Sequence, residues 1–462
     1  MEKKITPVLY DIKKYLNSKK LDYFEIRYEN HKNRNITIEN LTTKDLIENQ
    51  TNGIGIRIIV DKKIGFLSLN NFLNYKDKID KLIENTRKIN KKTDFENYSR
   101  NKDKDIIKYK DFDEIENTRK IKELITLNKK YYKKEENNIK IINSEIIYRE
   151  IVQEKYFLTN DAEIYQKRPY VICYSLMTAK KNNIIENNIN RFGDIGGLEK
   201  FKVENKEKLL LKNKEIIKEL VESKPCPAKI SDIILHPEVT DLLAHEAIGH
   251  ACEGDALTDN ISVLKKGMKV SNNKQVNVTD NPEIKKFGYF KYDDEGIKAK
   301  KVEMIKNGVV NDFMTNIITA TKLKTKSNGS ARSENYNYMP IVRMSNTYFE
   351  PGKDKLKDML DNFNGYLLKG FSGGQVEPNI GTFMFGIKQA YKYQNGKIVS
   401  KYKQASIAGN ILNYLNKITE ISNKLEGMEI GFCGKGAQTA FVGGTGPYIK
   451  VKNATIGGTK HE

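Results

Sequence analysis

A helix-breaking triplet, Pro225-Cys226-Pro227, divides the chain into two parts of different character. Before it, the segment GGLEKFKVENKEKLLLKNKEIIKELVESK has apolar residues at helical spacing and predicts a long amphipathic helix. Proline lacks a backbone N–H and disfavours helix in the residue before it, so this helix has to end at the triplet. The triplet therefore marks the start of a separate C-terminal domain.

The part after the triplet is rich in glycine and in short alternating runs. Segments such as GFSGGQ, NIGTFMFG, GFCGKGAQ and FVGGTG separate these runs, and Asn395-Gly396 is a strong signal for a tight β-hairpin. Alternation of apolar and polar residues with a period of two is typical of half-buried strands. We therefore predict a mainly antiparallel β domain over residues 228–462, with one helix inserted near its start at Pro237.

The part before the triplet mixes helical and strand patterns. TPVLYDIKKYL is amphipathic at helical spacing, whereas GIGIRIIVDKKIGFLSLN predicts two β-branched strands joined at Asp61–Lys63. The polar run Lys91–Asp113 indicates an exposed connection. We predict an N-terminal α/β domain over residues 1–95 and a central α/β domain with long helices over residues 105–223. The predicted fold class is α+β.

Charge and cysteine usage restrict the class of protein. The formal net charge of +20 suggests a nucleic-acid partner, but the basic residues run through all 462 residues instead of forming one arm, which favours solvated faces. The four cysteines are scattered without a CxxC pair, as expected for a reducing compartment. The N-terminus does not read as a signal peptide, and no apolar run approaches the ~18 residues of a membrane span. We expect a cytoplasmic protein without a membrane or nucleic-acid partner.

The stretch AHEAIGHACEGD places two histidines around a glutamate. His245 and His250 are separated by five residues, so on a regular α-helix their side chains point roughly 140° apart. Two local geometries would let them converge. A π-bulge accommodates one extra residue in a helical turn. Alternatively, the helix could end at Gly249, whose missing Cβ permits a change of backbone direction.

If both histidines bind one zinc ion, the adjacent Glu246 can accept a proton from an attacking water. The third ligand is open at this point. Glu253 and Asp255 are candidates because they are close in the chain, and Cys433 is a candidate because thiolates bind zinc well. Two ordinary half-buried histidines are the alternative. The pair flanks glutamate and glycine at the entry to a glycine-rich domain, but the spacing alone leaves both interpretations open.

At this point the sequence resembles a known family. HEAIGHACEGD is similar to the HExxxH metal motif of the TldD/PmbA metallopeptidases. Further segments match family blocks in the same order along nearly the whole chain. They are GIGIR (Gly53–Arg57), YDDEG (Tyr292–Gly296), SNGSAR (Ser327–Arg332), RMSNTY (Arg343–Tyr348), SGGQV (Ser372–Val376) and GFCGKGAQ (Gly431–Gln438).

The resemblance implies a zinc-dependent peptidase that cleaves unfolded or flexible polypeptides. By the same resemblance His245, His250 and Cys433 bind Zn²⁺, and Glu246 activates water. The intact motif is typical of the active, TldD-type subunit. Members of the family dimerise around an enclosed cavity, so the expected partner is a second copy or a PmbA/TldE-like subunit.

A substrate is expected to lie as an added strand along a β edge of the C-terminal domain. Arg343, Asn346 and Tyr348 could line that groove or stabilise the tetrahedral oxyanion, or could form structural hydrogen bonds inside the sheet. Two other functions remain open from the sequence. One is a basic nucleic-acid-binding protein, and the other is a non-catalytic scaffold.

Overall fold

The computed structural model describes residues 2–96, 98–200 and 202–458. Over these residues the protein has an α+β fold in which most strand pairs are antiparallel. This fold class is the one that the sequence predicts.

One eight-stranded sheet, four α-helices and two short 3-10 helices make up the part of the described chain before the proline triplet. The strands are β1 (Tyr23–Glu39), β2 (Thr42–Val60), β3 (Lys63–Leu69), β4 (Lys102–Ile106), β5 (Glu135–Glu136), β6 (Ile139–Leu158), β7 (Glu163–Lys181) and β8 (Ile184–Ile195). The helices are α1 (Glu2–Asn17), α2 (Tyr75–Arg87), α3 (Asn117–Lys129) and α4 (Val203–Glu222). The long helix predicted before the triplet is α4.

The eight strands are ordered β3-β2-β1-β6-β7-β4, with β5 on β6 and β8 on β7. Strand β1 pairs with β6 from Ile26 to Glu39, so strands of the predicted N-terminal and central domains belong to one sheet. The predicted turn between β2 and β3 lies at Asp61-Lys62, where both residues have positive φ (53° and 61°). That is the conformation of a type I′ hairpin turn.

The described chain from Lys224 onwards contains fifteen strands and five short α-helices. The strands are β9 (Lys224–Pro225), β10 (Lys229–Leu235), β11 (Val278–Asp280), β12 (Val302–Lys306), β13 (Val309–Val310), β14 (Ala331–Arg332), β15 (Ile341–Val342), β16 (Asn346–Phe349), β17 (Gly365–Glu377), β18 (Thr382–Gln394), β19 (Lys397–Asn410), β20 (Ile418–Ile421), β21 (Glu426–Lys435), β22 (Gln438–Gly446) and β23 (Ile449–Gly457). The helices are α5 (Pro237–Leu242), α6 (Gly254–Thr258), α7 (Ile317–Lys322), α8 (Leu356–Leu360) and α9 (Ile411–Asn416). No described helix is long and apolar enough to cross a bilayer.

Two large sheets enclose the C-terminal core. The first is ordered β20-β23-β10-β17-β18-β19-β9, and an extra pairing of β19 with β23 brings it round on itself. The second is ordered β13-β12-β11-β16-β22-β21, so that β21 is an edge strand. The helical segment that begins at Pro237 packs between these sheets through fully buried residues such as Val239, Leu243 and Ile248. The predicted inserted helix is therefore present, and its burial holds it rigidly beside β21.

A buried charge cluster joins the two parts of the molecule. Arg57 on β2 is fully buried and forms ion pairs with Glu25 on β1 (2.6 Å) and with Glu295 of the C-terminal part (2.7 Å). Removing one member would leave an uncompensated buried charge, which is strongly destabilising. The cluster therefore fixes the N-terminal sheet against the C-terminal domain.

Candidate metal centre

The motif helix begins at a proline and then changes its hydrogen-bond pattern. His236 caps the helix, since its Nδ1 accepts a hydrogen bond from the Glu238 N–H (3.3 Å), and Pro237 occupies the first helical position. The helix is α-helical to Leu242 and continues as a π-helix over Leu243–Gly249. The extra residue in the turn thus falls inside the histidine motif.

The π-helix solves the spacing problem of the two histidines. The N–H of His250 donates to the carbonyl of His245, five residues earlier, and the ring centroids lie 5.2 Å apart. Of the two geometries considered from the sequence, this is the π-bulge. Gly249 has an ordinary right-handed helical φ of −56°, so it does not end the helix by a switch of conformation. Its missing Cβ serves packing instead, because a Cβ there would lie 2.1 Å from Sδ of Met344.

Cys433 meets the two histidines from a distant part of the chain. It lies on the edge strand β21, and its Sγ is 3.5 Å from Nε2 of His250. One ligand atom from each of His245, His250 and Cys433 lies within 4.8 Å of the others. The cluster is largely buried, and its three donors converge as a metal site requires.

The charges of the cluster suit metal binding. Burial disfavours the thiolate of Cys433, but hydrogen bonds from His245 and His250 outweigh it and lower the pKa of the thiol to about 5. Burial likewise opposes protonation of His250, whereas hydrogen bonds with Cys433 and Glu253 raise its pKa to about 10. A thiolate is the form of cysteine that binds metals. A cation entering the cluster would replace the imidazole protons that now stabilise that thiolate.

The two acidic residues that follow the motif have other partners. Glu253 is 2 % exposed, and its Oε2 lies 3.0 Å from Nδ1 of His250 and 3.0 Å from Nζ of Lys435. Asp255 accepts two 2.7 Å hydrogen bonds from the same lysine. Glu253 therefore orients the His250 ring so that Nε2 faces Cys433, as carboxylate partners of metal-binding histidines do. The sequence signal for this contact is the position of Glu253, three residues after His250 in the chain.

Glu246 is placed differently from Glu253. Its side chain is 35 % exposed, and its Oε2 lies 3.7 Å from Nε2 of His250. It lines a cavity of about 760 Å³ that also exposes His245, His250 and Cys433. A carboxylate at the mouth of the cluster can reach both a water molecule and a substrate.

The cavity lies between the motif helix and strands that include β8, β17, β18 and β21. Its walls include Glu186–Arg191 of β8, Gly370–Gly373 of β17, Ile387–Gln389 of β18 and Ile430–Gly434 of β21. Lys403 and Glu186 both line the cavity and form an ion pair with each other (2.6 Å), so their charges cancel within the wall. The cleft exposes several consecutive residues of β21 beside the candidate metal ligands.

The three residues considered for substrate contact lie elsewhere. Arg343, Asn346 and Tyr348 are all buried, and none belongs to the described lining of the 760 Å³ cavity. Arg343 donates from Nη2 to the carbonyl of Cys433 and from Nη1 to the carbonyl of Gln438 (3.1 Å). Arg343 therefore holds the β21–β22 hairpin that carries the cysteine, which is the structural alternative considered from the sequence, and substrate contact by Arg343, Asn346 and Tyr348 stays a prediction.

A buried cluster of two histidines and one cysteine, open to a cavity beside a carboxylate, is the arrangement of a metal-dependent hydrolase. The chain belongs to the TldD/PmbA metallopeptidase family. Residues 228–458 match the PmbA/TldA metallopeptidase C-terminal domain, and residues 24–89 match PmbA/TldA metallopeptidase domain 1.

Curated relatives carry the same class of name. A metalloprotease of Methanocaldococcus jannaschii is 32% identical over 444 residues, which are 93% of this chain and 96% of the relative. A zinc metalloprotease TldD homolog of Saccharolobus solfataricus is 37% identical over 248 residues, which are 53% of this chain and 55% of the relative.

Solved structures share the fold at lower identity. A protein of Bacteroides thetaiotaomicron described as a modulator of DNA gyrase superposes with a TM-score of 0.80 at 17% identity, covering 99% of this chain and 100% of the other. TldE from Thermococcus kodakarensis superposes with a TM-score of 0.76 at 17% identity, covering 97% and 99%.

Proposed function

We propose that this chain is a zinc-dependent peptidase that cleaves unfolded or flexible polypeptides in the 760 Å³ cavity. The observation that carries the proposal is the convergence of His245, His250 and Cys433 within 4.8 Å beside Glu246. Three protein ligands leave a coordination position open, as catalytic zinc sites do and closed structural sites do not. The thiolate favours zinc over magnesium or calcium.

In this mechanism each protein group has one task. Bound zinc supplies Lewis acidity to the site. Glu246 accepts a proton from the attacking water and later passes it to the leaving amine. Glu253 keeps the His250 ring in the orientation and tautomer that ligation needs. Arg343 holds Cys433 in place through the backbone of the hairpin.

The edge strand β21 supports an extended substrate. Among the described residues β21 pairs with β22 on one side only, and its Ile430–Gly434 segment lines the cavity. A polypeptide that adds as a strand there would be held by backbone hydrogen bonds, which make little demand on its sequence. Charge pairs within the wall, such as Lys403–Glu186, support the same low selectivity. An unfolded or flexible chain supplies such an extended segment without first losing a fold, so this geometry supports a flexible substrate.

We also propose that the chain acts as a dimer, either with a second copy or with a TldE-like chain. Support comes from the shared fold with TldE over nearly the full length of both chains. Light scattering of the purified chain, alone and mixed with a TldE-like chain, distinguishes the two kinds of dimer.

All four cysteines are buried and form no disulfide in the structure, which suits a reducing, cytoplasmic environment.

Metal analysis combined with a digestion assay tests the enzymatic proposal. We expect one zinc per chain and cleavage of a disordered polypeptide that stops on chelation and returns when zinc is restored. A polypeptide that disulfide bonds hold in a stable fold should resist cleavage under the same conditions. A nucleic-acid-binding protein or a non-catalytic scaffold would show no chelator-sensitive cleavage, and that result would refute the proposal.

A further inference from the structure

A second cavity of about 320 Å³ lies between the N-terminal sheet and the C-terminal domain. Its floor is formed by β1, β6 and β7, with His31, Gln153 and Arg168 side by side in the strand register. The C-terminal domain contributes the opposite wall, through residues 290–294, 332–335 and 439–441. No residue that we assign to metal binding or proton transfer is among its described lining.

Arg168 is buried in this cavity with unused hydrogen-bonding capacity. It is 4 % exposed, and its Nη1 makes a 3.3 Å hydrogen bond to the carbonyl of Tyr289. Its Nε is buried and has no partner among the described residues. A buried N–H without an acceptor is costly, and the cost is greater for a charged group.

Arg332 lines the same cavity as Arg168. Its Nη1 donates to the carbonyl of Met344 (2.7 Å), and its guanidinium carbon lies 4.9 Å from the ring centre of Phe290. Burial, together with the positive charges of Arg168 and Arg343, lowers the pKa of Arg332 to about 10, although the charges of Tyr170 and Asp294 oppose the shift. A buried arginine, Arg168, and a half-buried arginine, Arg332, therefore lie in the wall of one cavity with like charges.

The carboxylates around the cavity are already bound by protein donors. Asp294 accepts hydrogen bonds from Lys155 (2.8 Å) and from the N–H of Ser333 (2.8 Å). Asp293 accepts from the N–H groups of Ile297 and Ala331, as its position in a tight turn requires. Among the described residues, neither Arg168 nor Arg332 forms an ion pair with a carboxylate.

Glu334, the remaining acid of the wall, accepts a 2.5 Å hydrogen bond from the N–H of Thr439.

Buried charges in proteins are normally paired, and the planar guanidinium fork matches the oxygens of a carboxylate or a phosphate. We propose that this cavity is a binding site for a small organic anion, held through a carboxylate or phosphate group by Arg168 and Arg332. The rings of Phe290, Tyr292 and Phe441 offer an apolar wall for the rest of such a molecule.

The anion site and the metal cluster lie at one hairpin but are separate. Residues Thr439–Phe441 of β22 line the anion cavity, and Ala440 is the direct strand partner of Cys433. An anion would bind without touching a metal ligand. Loss of anion binding and loss of zinc are therefore distinguishable.

Calorimetric titration of the full-length, zinc-loaded protein tests the proposal. The probes are inorganic phosphate and N-acetylglycine, with N-acetylglycinamide as the neutral match of the second probe. We expect saturable binding of phosphate, of N-acetylglycine or of both, and none of the amide. Phosphate binding alone assigns a phosphate ligand, and N-acetylglycine binding alone assigns a carboxylate ligand.

Arg332→Gln and Arg332→Lys should each weaken binding by about tenfold or more, because lysine restores the charge but not the paired donors. Arg168→Gln should do the same, and the exposed Arg87→Gln should bind like the parent protein. Zinc content should stay unchanged in all four variants. Two results would overturn the proposal, even if Arg168→Gln fails to fold. One is absence of binding at millimolar probe concentration, and the other is equal binding by the parent protein and both Arg332 variants.

Discussion

The backbone N–H of His250 donates a hydrogen bond to the carbonyl oxygen of His245, five residues earlier in the chain. An α-helix would join residues four apart, so this single π-type bond reconciles the five-residue spacing with a shared ligand position. The turn is held by its packing, because Gly249 lies directly against the fully buried Met344. The geometry of the metal centre thus depends on a contact between two residues that bind no metal.

We expect Gly249→Ala to destabilise the protein, although alanine is ordinarily the better helix residue by about 0.5–1 kcal/mol. The added Cβ would lie 2.1 Å from Sδ of Met344, and relieving such overpacking costs about 1–3 kcal/mol. Chemical unfolding measures the loss, and Gly249→Ala should cost less in a Met344→Ala background, where the sulfur that the new Cβ meets is absent. Gly434→Ala is the matched control, because a Cβ at Gly434 meets nothing within 4 Å. Unchanged stability of Gly249→Ala would show that this packing does not constrain the turn.

Glu246→Gln should retain zinc and lose peptide cleavage by about 100-fold or more, because the amide keeps the shape of the side chain but cannot accept a proton. Metal analysis and the turnover number on a disordered polypeptide measure the two effects separately. Glu303→Gln, an exposed change on β12, serves as the control and should cleave normally. A fully active Glu246→Gln would refute the general-base assignment.

Cys433→Ala should lose zinc in competition with a chelator, because only two imidazole ligands remain. Cys252 provides a matched control, since it is also buried and lies two residues after His250, but its thiol pKa is raised by burial. Cys252→Ala should therefore keep its zinc. If Cys433→Ala kept the metal as well, Glu253 or Asp255 would become the candidate for the third ligand.

Glu253→Gln should weaken zinc binding by about 10- to 100-fold, the usual effect of removing the carboxylate that orients a metal-binding histidine. The 3.0 Å contact with Nδ1 of His250 would survive in one amide orientation, but without the negative charge that strengthens ligation. Competition with a chromophoric chelator gives the affinity. An affinity equal to that of the parent protein would mean that Lys435 and the backbone alone position the ring.

His236 should make the protein less stable in mild acid. Burial lowers its pKa to about 4, so between pH 6.5 and about 4 the unfolded chain takes up a proton that the folded protein does not. The free energy of unfolding therefore falls as the pH drops through this window, by up to about 3 kcal/mol. His236→Asn keeps a side-chain acceptor at the helix cap but loses the ring contact with Tyr448, so it should remove this part of the pH dependence while lowering stability at pH 8. Parallel curves for both proteins in urea unfolding at pH 4–8 would contradict the assignment.

Local residue chemistry predicted several elements correctly. Pro225 and Pro227 end a helix for reasons that no distant contact can override, and Asn395-Gly396 adopts positive φ (49° and 74°) in the predicted hairpin. The predicted domain boundary between residues 95 and 105 does not indicate which strands pair with each other. Strands on both sides of it join in one sheet, because pairing between β1 and β6 depends on partners more than a hundred residues apart.

The sequence by itself determined the α+β class, the start of the motif helix at Pro237, and the presence of two histidines and a glutamate that could serve a metal. These follow from the short-range sterics of proline and glycine and from the chemistry of single side chains. Only the tertiary structure decided that the helix takes a π-turn, that Cys433 arrives at His250 from 183 residues away, and that Arg343 donates hydrogen bonds to the backbone of the hairpin that carries Cys433. Such convergence depends on how two sheets pack around a helix, and packing of that kind leaves no local signal in the chain.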